Sequence, residues 1–551
     1  MGTILISGGT VIDGTGGPAR EADVLVDGDR IVAIGTGLVG DRVLDATGCV
    51  VAPGFIDIHT HYDAQVFWDP SLTPSSFHGV TTVIAGNCGF SIAPTRPEHR
   101  DLIARTLENV EDMDVAALAA GVPWNFSTFP EYLDAVGSLP LSLNFGAYVG
   151  HTALRLFVMG DDAYERAATP EEIERMVAVL TDALDHGAAG FATSVAPTHR
   201  GVDGKPVPSR FAERIELESL FNAVGAVGRG VVEVTPGENL PVAELYDLQI
   251  AAGVPFTVTA LLALPTGSHR TFAETNRAGW ARGARVWPQV SPRPLAFAMS
   301  MTDPFTFNVN PRFAELMGCP LEERRAAYAD PEWRASVVEA WSEGAFMVPR
   351  WDTFQVAENP VDPSLEGRRI SDLAAERGLT PFDTVMELAL ADPDLTMRVR
   401  CVIANDDVDE VAFLLNEEHV ALGLSDAGAH VGQLCDAPQA TDLLGNWVRD
   451  RAVMPLPEAI RRLTKAQAEM FGLVDRGEIR EGAFADIVVF DPSTVAPGPI
   501  RRVADFPAGS ERLTADAPVG VRHVVVNGEP IRVDERQVEG VAPGVLVAPG
   551  R

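Results

Sequence analysis

The chain has 551 residues, 46% of them hydrophobic and 22% charged, with a formal net charge of −34 and a pI near 4.6. A surface that acidic repels phosphate backbones and anionic lipid, which argues against nucleic-acid and membrane partners, and no apolar run approaches the ~18 residues of a membrane helix. The five cysteines, Cys49, Cys88, Cys319, Cys401 and Cys435, are scattered, and the chain enters a β-like run at Thr3-Ile4-Leu5-Ile6 with no basic leader, so the expectation is a reducing, cytoplasmic setting.

Residues 1–53 hold short β-like runs, Ile4–Ser7, Thr10–Ile12, Asp23–Val26 and Arg30–Ile34, broken by Gly8-Gly9, Asp13-Gly14 and Asp27-Gly28. Such punctuation predicts hairpins. The far end has the same texture, with 485–492 and Val521–Val526 before Asn527-Gly528. Neither end could enclose a core alone, so the expectation is one small β-sandwich from 1–53 plus 480–551. Between them, 54–479 alternates apolar runs with helical patterns such as Pro170–Leu184 and Leu217–Val227. The predicted strands are Phe55–His59, Thr82–Ala85, Ser142–Tyr148, Gly190–Ser194, Val231–Thr235, Phe256–Leu261, Arg285–Val290 and Val420–Leu424. Eight buried parallel strands alternating with helices describe an α/β fold, a (β/α)₈ barrel of the TIM type. Residues 291–419, with Trp333, Trp341 and Trp351, form an insertion over its mouth between strands seven and eight.

Pro53-Gly54-Phe55-Ile56-Asp57-Ile58-His59-Thr60-His61 is an apolar strand ending in two histidines one residue apart. Period two puts both imidazoles on one face, and at the C-terminal end of a barrel strand that face looks into the mouth. Two neutral nitrogens there suit a divalent metal such as Zn²⁺. An HxH outside this context is more often a pair of polar loop residues. Ala421 to His430 (ALGLSDAGAH) repeats the design with one carboxylate, Asp426, able to ligate a metal and accept a proton from its bound water. A turn aspartate before Ala-Gly is the competing reading.

The segment 51–61 (VAPGFIDIHTH) resembles the opening of the amidohydrolase superfamily. Gly86-Asn87-Cys88-Gly89, Gly150-His151-Thr152-Ala153-Leu154-Arg155 and 477–492 (GEIREGAFADIVVFDP) narrow the resemblance to its N-acyl-D-amino-acid deacylase branch. It implies the barrel with a β-sandwich, zinc, and hydrolysis of an N-acyl amide. By matching motif it makes His59 and His61 ligands, Cys88 a thiolate ligand, and Asp426 ligand and general base. Without it, Cys88 reads as a small buried residue in a tight turn.

The resemblance breaks at strands five and six, where members of the branch carry histidines. Here the segments read Val231-Val232-Glu233-Val234-Thr235 and Phe256-Thr257-Val258-Thr259-Ala260, with Val234 and Ala260 at the ligand positions. Three readings stay open. One ion, Zn²⁺ or alternatively Fe or Mn, could sit on His59, His61 and Asp426 with Cys88 or water. Replacement ligands could come from Glu233, His151, His199 or His269. Or hydrolytic chemistry has been lost. A carbamylated-lysine bridge is disfavoured, because the only lysines, Lys205 and Lys465, lie away from the strand ends.

An N-acyl amino acid carries a carboxylate, so arginines after strands are candidates: Arg155, Arg200, Arg210 and Arg293. His151, His199 and His430 are further substrate-facing candidates, and Phe67-Trp68 and Phe297 could line an acyl pocket or simply pack. The reading is a metal-dependent amidohydrolase cleaving a C–N bond in a small-molecule substrate, with Asp426 as general base and self-association into a homo-oligomer left open. The rivals are another reaction on the same barrel (decarboxylation, deamination or C–C hydrolysis) and a non-catalytic barrel serving as a binding module.

Overall fold

In the computed structural model, which describes residues 2–342 and 348–550, eight short and almost wholly buried strands follow one another in parallel. They are β1 (Phe55–Asp57), β2 (Val80–Ala85), β3 (Asn144–Gly150), β4 (Gly190–Ser194), β5 (Val231–Thr235), β6 (Phe256–Val258), β7 (Val286–Val290) and β8 (Ala421–Leu422). Each pairs with the next, and a parallel bridge from Thr60 to Ala427 joins the two ends. All eight coincide with strands read from the sequence. Helices cover the outside, as burial on both faces of a parallel sheet requires. Pro170–Asp185 shows why these segments are helical: Thr169 and Glu172 close a capping box, Pro170 opens the first turn, and Ile173, Met176, Leu180 and Leu184 bury one stripe.

The chain ends build a second unit. Val50–Pro53 pairs antiparallel with Ile487–Phe490, and this seam unites N-terminal and C-terminal strands in one nine-stranded sheet. Alternation divides the seam between two cores. Val51, Ile487 and Val489 pack with Ile6, Val24 and Val525 inside the small domain, whereas Val50, Ala52, Val488 and Phe490 join the barrel core. The last residues return to the base of the barrel, where Phe145 N–H donates to Val545 O and Val547 N–H to Phe145 O, both at 2.9 Å.

Between β7 and β8 the chain makes a three-stranded antiparallel sheet, Leu295–Ser300, Gln355–Glu358 and Arg398–Ala404, flanked by helices. Residues 343–347 of this insertion lie outside those described. Its aromatic cluster of Phe307, Phe313, Trp341 and Phe382 is a core of its own. Asn405 ties it down, accepting from Ala263 N–H and donating to Ser291 O and Arg293 O. Among the described residues no helix is long and apolar enough to cross a membrane.

Candidate metal centre

Beyond β1 the backbone carries His59 and His61 into the mouth of the barrel, with rings 5.5 Å apart and both side chains essentially inaccessible. Beyond β2 the Gly86–Gly89 turn presents Cys88. Both of its glycines are left-handed, and a Cβ on either would press on backbone: Gly86 against Tyr148 O at 2.7 Å, Gly89 against Ser194 N at 2.9 Å. Ligand atoms of His59, His61 and Cys88 lie within 4.8 Å of one another. Asp426, beyond β8, places Oδ1 3.0 Å from His59 Nε2 and 3.8 Å from His61 Nε2, while Cys88 Sγ stands 3.5 Å from His59 Nε2. The four residues expected to share a cation are therefore neighbours.

Several non-glycine residues here have left-handed backbone, namely Cys88, Leu424, Asp426 and His430. Such conformations cost of order 1–3 kcal/mol each and persist where the surroundings enforce them.

The electrostatics follow from burial. Burial opposes charge on both Asp426 and His59, but their mutual attraction outweighs it, holding the carboxyl well below its ordinary range and the imidazole above its own. His61 is driven well below its ordinary value by burial and then by His59. Burial, followed by Glu233, Glu111 and Asp426, pushes the Cys88 thiol well up. Thiolate at this position therefore calls for a cation.

Donor chemistry fits a divalent ion. Two imidazoles, a carboxylate and a thiol are the ligand types zinc takes, and both ring nitrogens of His61 are buried without a hydrogen-bond partner. Unpaired buried polar atoms in a native fold call for a partner.

Two residues in this region escaped the sequence reading. Gln289, on β7, places Oε1 2.6 Å from His59 Nδ1; the visible clue was a glutamine inside an apolar strand. Glu111 ends the helix α1 (Arg100–Glu111), 2% exposed, with one oxygen 3.8 Å from His61 Nδ1. Nothing in its acidic helix end marked it. Glu233, considered above as a replacement ligand, lies beside the cluster, where Oε1 accepts from Thr259 Oγ1 at 2.6 Å and Oε2 from Cys88 N–H at 2.9 Å. It braces the Cys88 turn against the end of β6. Val234 and Ala260 leave β5 and β6 without an imidazole at the mouth.

The remaining candidates divide. His430 stays at the centre: Nε2 is 3.8 Å from Glu111 Oε2, its backbone N–H donates to Glu111 O, and its ring packs edge-on against both Phe297 and Phe305. His199 is nearby, hydrogen-bonded through Nδ1 to Ser194 Oγ at 2.6 Å, its pKa taken down to about 3 by burial and then by His430. Its neighbour Arg200 donates to Gly204 O, and Arg210 donates weakly to Pro197 O and His199 O.

His151 and Arg155 are one turn apart on a buried helix, and both engage Glu216. His151 Nε2 is 2.8 Å from Oε1, and Arg155 forms a two-oxygen ion pair. Arg293 is held by Asp436 at 2.6 Å and Asp442 at 3.5 Å, and His269 by Glu410 at 2.7 Å. Phe67 and Trp68 pack on Phe126 and Phe506. Lys205 and Lys465 pair with Glu165 and Glu478, apart from the centre.

Beside the cluster lies a cavity of about 670 Å³ whose wall includes Asp112, Val431 and Gly432, the residues directly after Glu111 and His430. Arg105, Arg324, Arg398 and Arg502 line it together with Glu108 and Asp303.

Residues 42–532 match the model of the amidohydrolase family. A D-aminoacylase of Alcaligenes xylosoxydans xylosoxydans is 31% identical over 540 residues, covering 96% of this chain and 94% of its own. A solved D-aminoacylase superposes with TM-score 0.68 at 28% identity, covering 99% of both chains. An N-acyl-D-glutamate deacylase from Bordetella bronchiseptica, solved with zinc and a phosphonate mimic of the tetrahedral intermediate, does so at TM-score 0.68 and 27% identity, again over 99% of both. The match runs through both halves of the barrel and both chain ends, and the chain belongs to the amidohydrolase family, in its D-aminoacylase branch.

Proposed function

We propose that the protein hydrolyses the amide bond of an N-acyl amino acid with one divalent ion held by His59, His61 and Asp426 and the Cys88 thiolate beside them. The observation that carries this reading is the convergence of Asp426 on both imidazoles, at 3.0 and 3.8 Å, at the C-terminal ends of β1 and β8. When bound, the ion supplies Lewis-acid chemistry, polarising the scissile carbonyl and acidifying water. Asp426 accepts the proton of the attacking water and returns it to the leaving nitrogen. Attraction to His59 keeps the carboxylate ionised before water arrives. Gln289 holds His59 from behind, and Glu233 fixes the Cys88 turn. His59, His61 and Glu233 are buried, so the charges at the centre interact in a low-dielectric setting.

The substrate's carboxylate needs a cationic or N–H-rich partner. Arg155 and Arg293 are committed to buried carboxylates and Arg502 to Glu358, so Arg324 and Arg398 of the adjoining cavity are the better candidates. The test is turnover of the metal-loaded protein on a panel of N-acyl-D- and N-acyl-L-amino acids. The D-isomers come first because the relatives named above act on them. Release of free amino acid, lost in Asp426→Asn, is the expected result. Loaded protein that leaves the whole panel intact but turns over a different carbonyl substrate would move the reading to another reaction on the same barrel.

A further inference from the structure

Glu111 has no part in the reading above, yet its carboxylate occupies a particular position. One oxygen stands 3.8 Å from His61 Nδ1 and the other 3.8 Å from His430 Nε2. Nε2 of the same His61 ring faces Asp426. The ring thus turns one nitrogen to the ligand cluster and the other to Glu111. Both nitrogens are buried without a hydrogen-bond partner, as is Nδ1 of His430.

His59 has the same arrangement in completed form, with Nε2 toward Asp426 and Cys88 and Nδ1 2.6 Å from the Gln289 oxygen. A metal-binding imidazole is normally held this way. An acceptor behind the ring takes the hydrogen of the second nitrogen, fixing tautomer and orientation. Gln289 does this for His59, and Glu111 is placed to do it for His61. With Val234 and Ala260 at the ends of β5 and β6, neither strand offers an imidazole, so His61 is one of few ligands and its orientation matters more here.

We propose that Glu111 is a positioning residue of the metal centre. Its carboxylate accepts the Nδ1 hydrogen of His61, which leaves Nε2 free for the cation, and its second oxygen ties the His430 loop to the same centre. At 3.8 Å neither contact is yet a hydrogen bond; a small rotation of the Glu111 side chain toward the two rings would close both once a cation fixes Nε2 of His61. The proposal rests on the metal-site reading given above.

The test compares full-length wild type with Glu111→Leu, Glu111→Ala, Glu111→Gln and Asp101→Asn, an exposed position in the first turn of the same helix. Each is stripped of metal, checked by thermal unfolding, and titrated with Zn²⁺ against a chromophoric chelator and with Co²⁺ by visible absorption. Leucine and alanine remove the acceptor and should weaken Zn²⁺ binding roughly 10–100-fold while shifting the Co²⁺ band. Glutamine keeps an oxygen acceptor, as Gln289 does behind His59, and should stay within a few-fold of wild type, like Asp101→Asn. If Leu and Ala bind as tightly as wild type, Glu111 does not position His61. If Gln loses as much affinity as Leu, the carboxylate is a direct ligand and the positioning role is overturned. Wild type that binds no ion overturns the metal-site reading itself.

Discussion

Glu216→Gln is the most informative single change outside the metal centre, because it separates two roles for Arg155 and His151. Arg155 is fully buried and Glu216 is 1% exposed in its side chain, so the ion pair sits in a low-dielectric interior. The substitution keeps size, and keeps an oxygen within reach of His151, but removes the charge. An arginine that cannot deprotonate is then buried without a counter-charge, at about 3–5 kcal/mol for a broken buried pair. The lower end applies, about 3 kcal/mol, because amide and ring can still hydrogen-bond. Spread over 551 residues unfolding as one unit, with about 2.1 cal/mol/K per residue, this lowers Tm by about 3 °C. Calorimetry gives the shift, and steady-state kinetics on an N-acyl amino acid gives KM in the same preparation. The structural role predicts a lower Tm with KM unchanged. An unchanged Tm with a several-fold higher KM would refute it and return Arg155 to the substrate pocket.

Other expectations follow from the same geometry. Asp426→Asn should cut kcat by roughly 10²–10⁴, the usual worth of a general base, as measured at saturating substrate on protein of known metal content. Dialysis against a chelator should abolish turnover, and back-titration with Zn²⁺, Mn²⁺ or Fe²⁺ should restore it near one equivalent. Glu233→Leu removes the acceptor of hydrogen bonds from Cys88 N–H, Thr259 Oγ1 and, at 3.4 Å, Thr235 Oγ1, and should cost about 1–3 kcal/mol in a denaturant melt. Buried His78 has its pKa taken down to about 4, chiefly by burial, between Thr441 Oγ1 and Ala515 O. Its neutral form is the folded one, so stability is full above the unfolded value of about 6.5 and is lost as pH falls from there to about 4. The loss is about 3 kcal/mol, and unfolding curves across that window should be shallower in His78→Gln.

The barrel was legible because its signals are local. Strands such as VTTVIA and GFATS are too short and too uniformly buried for surface helices, and they recur between capped amphipathic segments. His59 and His61 were legible for the same reason, since a two-residue period at a strand end settles where both rings point. Roles that depend on contacts between distant segments were not. Arg155 lies just after β3 and looked substrate-facing, yet its helix turns it and His151 together onto Glu216, 61 residues away from Arg155. Arg293 looked equally exposed, but the loop after β8 brings Asp436 against it. Glu111 could not be told from its acidic neighbours, because what distinguishes it is a tertiary approach to His61 and His430. The i, i+4 spacing of His151 and Arg155 was the one available hint that both share a helix face.

The central claim is that imidazoles 59 and 61 and carboxylate 426 share one cation. Crystals of protein grown with Zn²⁺, measured on both sides of the zinc absorption edge, test it most directly. The account predicts a strong anomalous peak within about 2.0–2.2 Å of His59 Nε2, His61 Nε2 and an Asp426 oxygen. A zinc-supplemented crystal with no peak there, or with its peak elsewhere in the barrel, would contradict it.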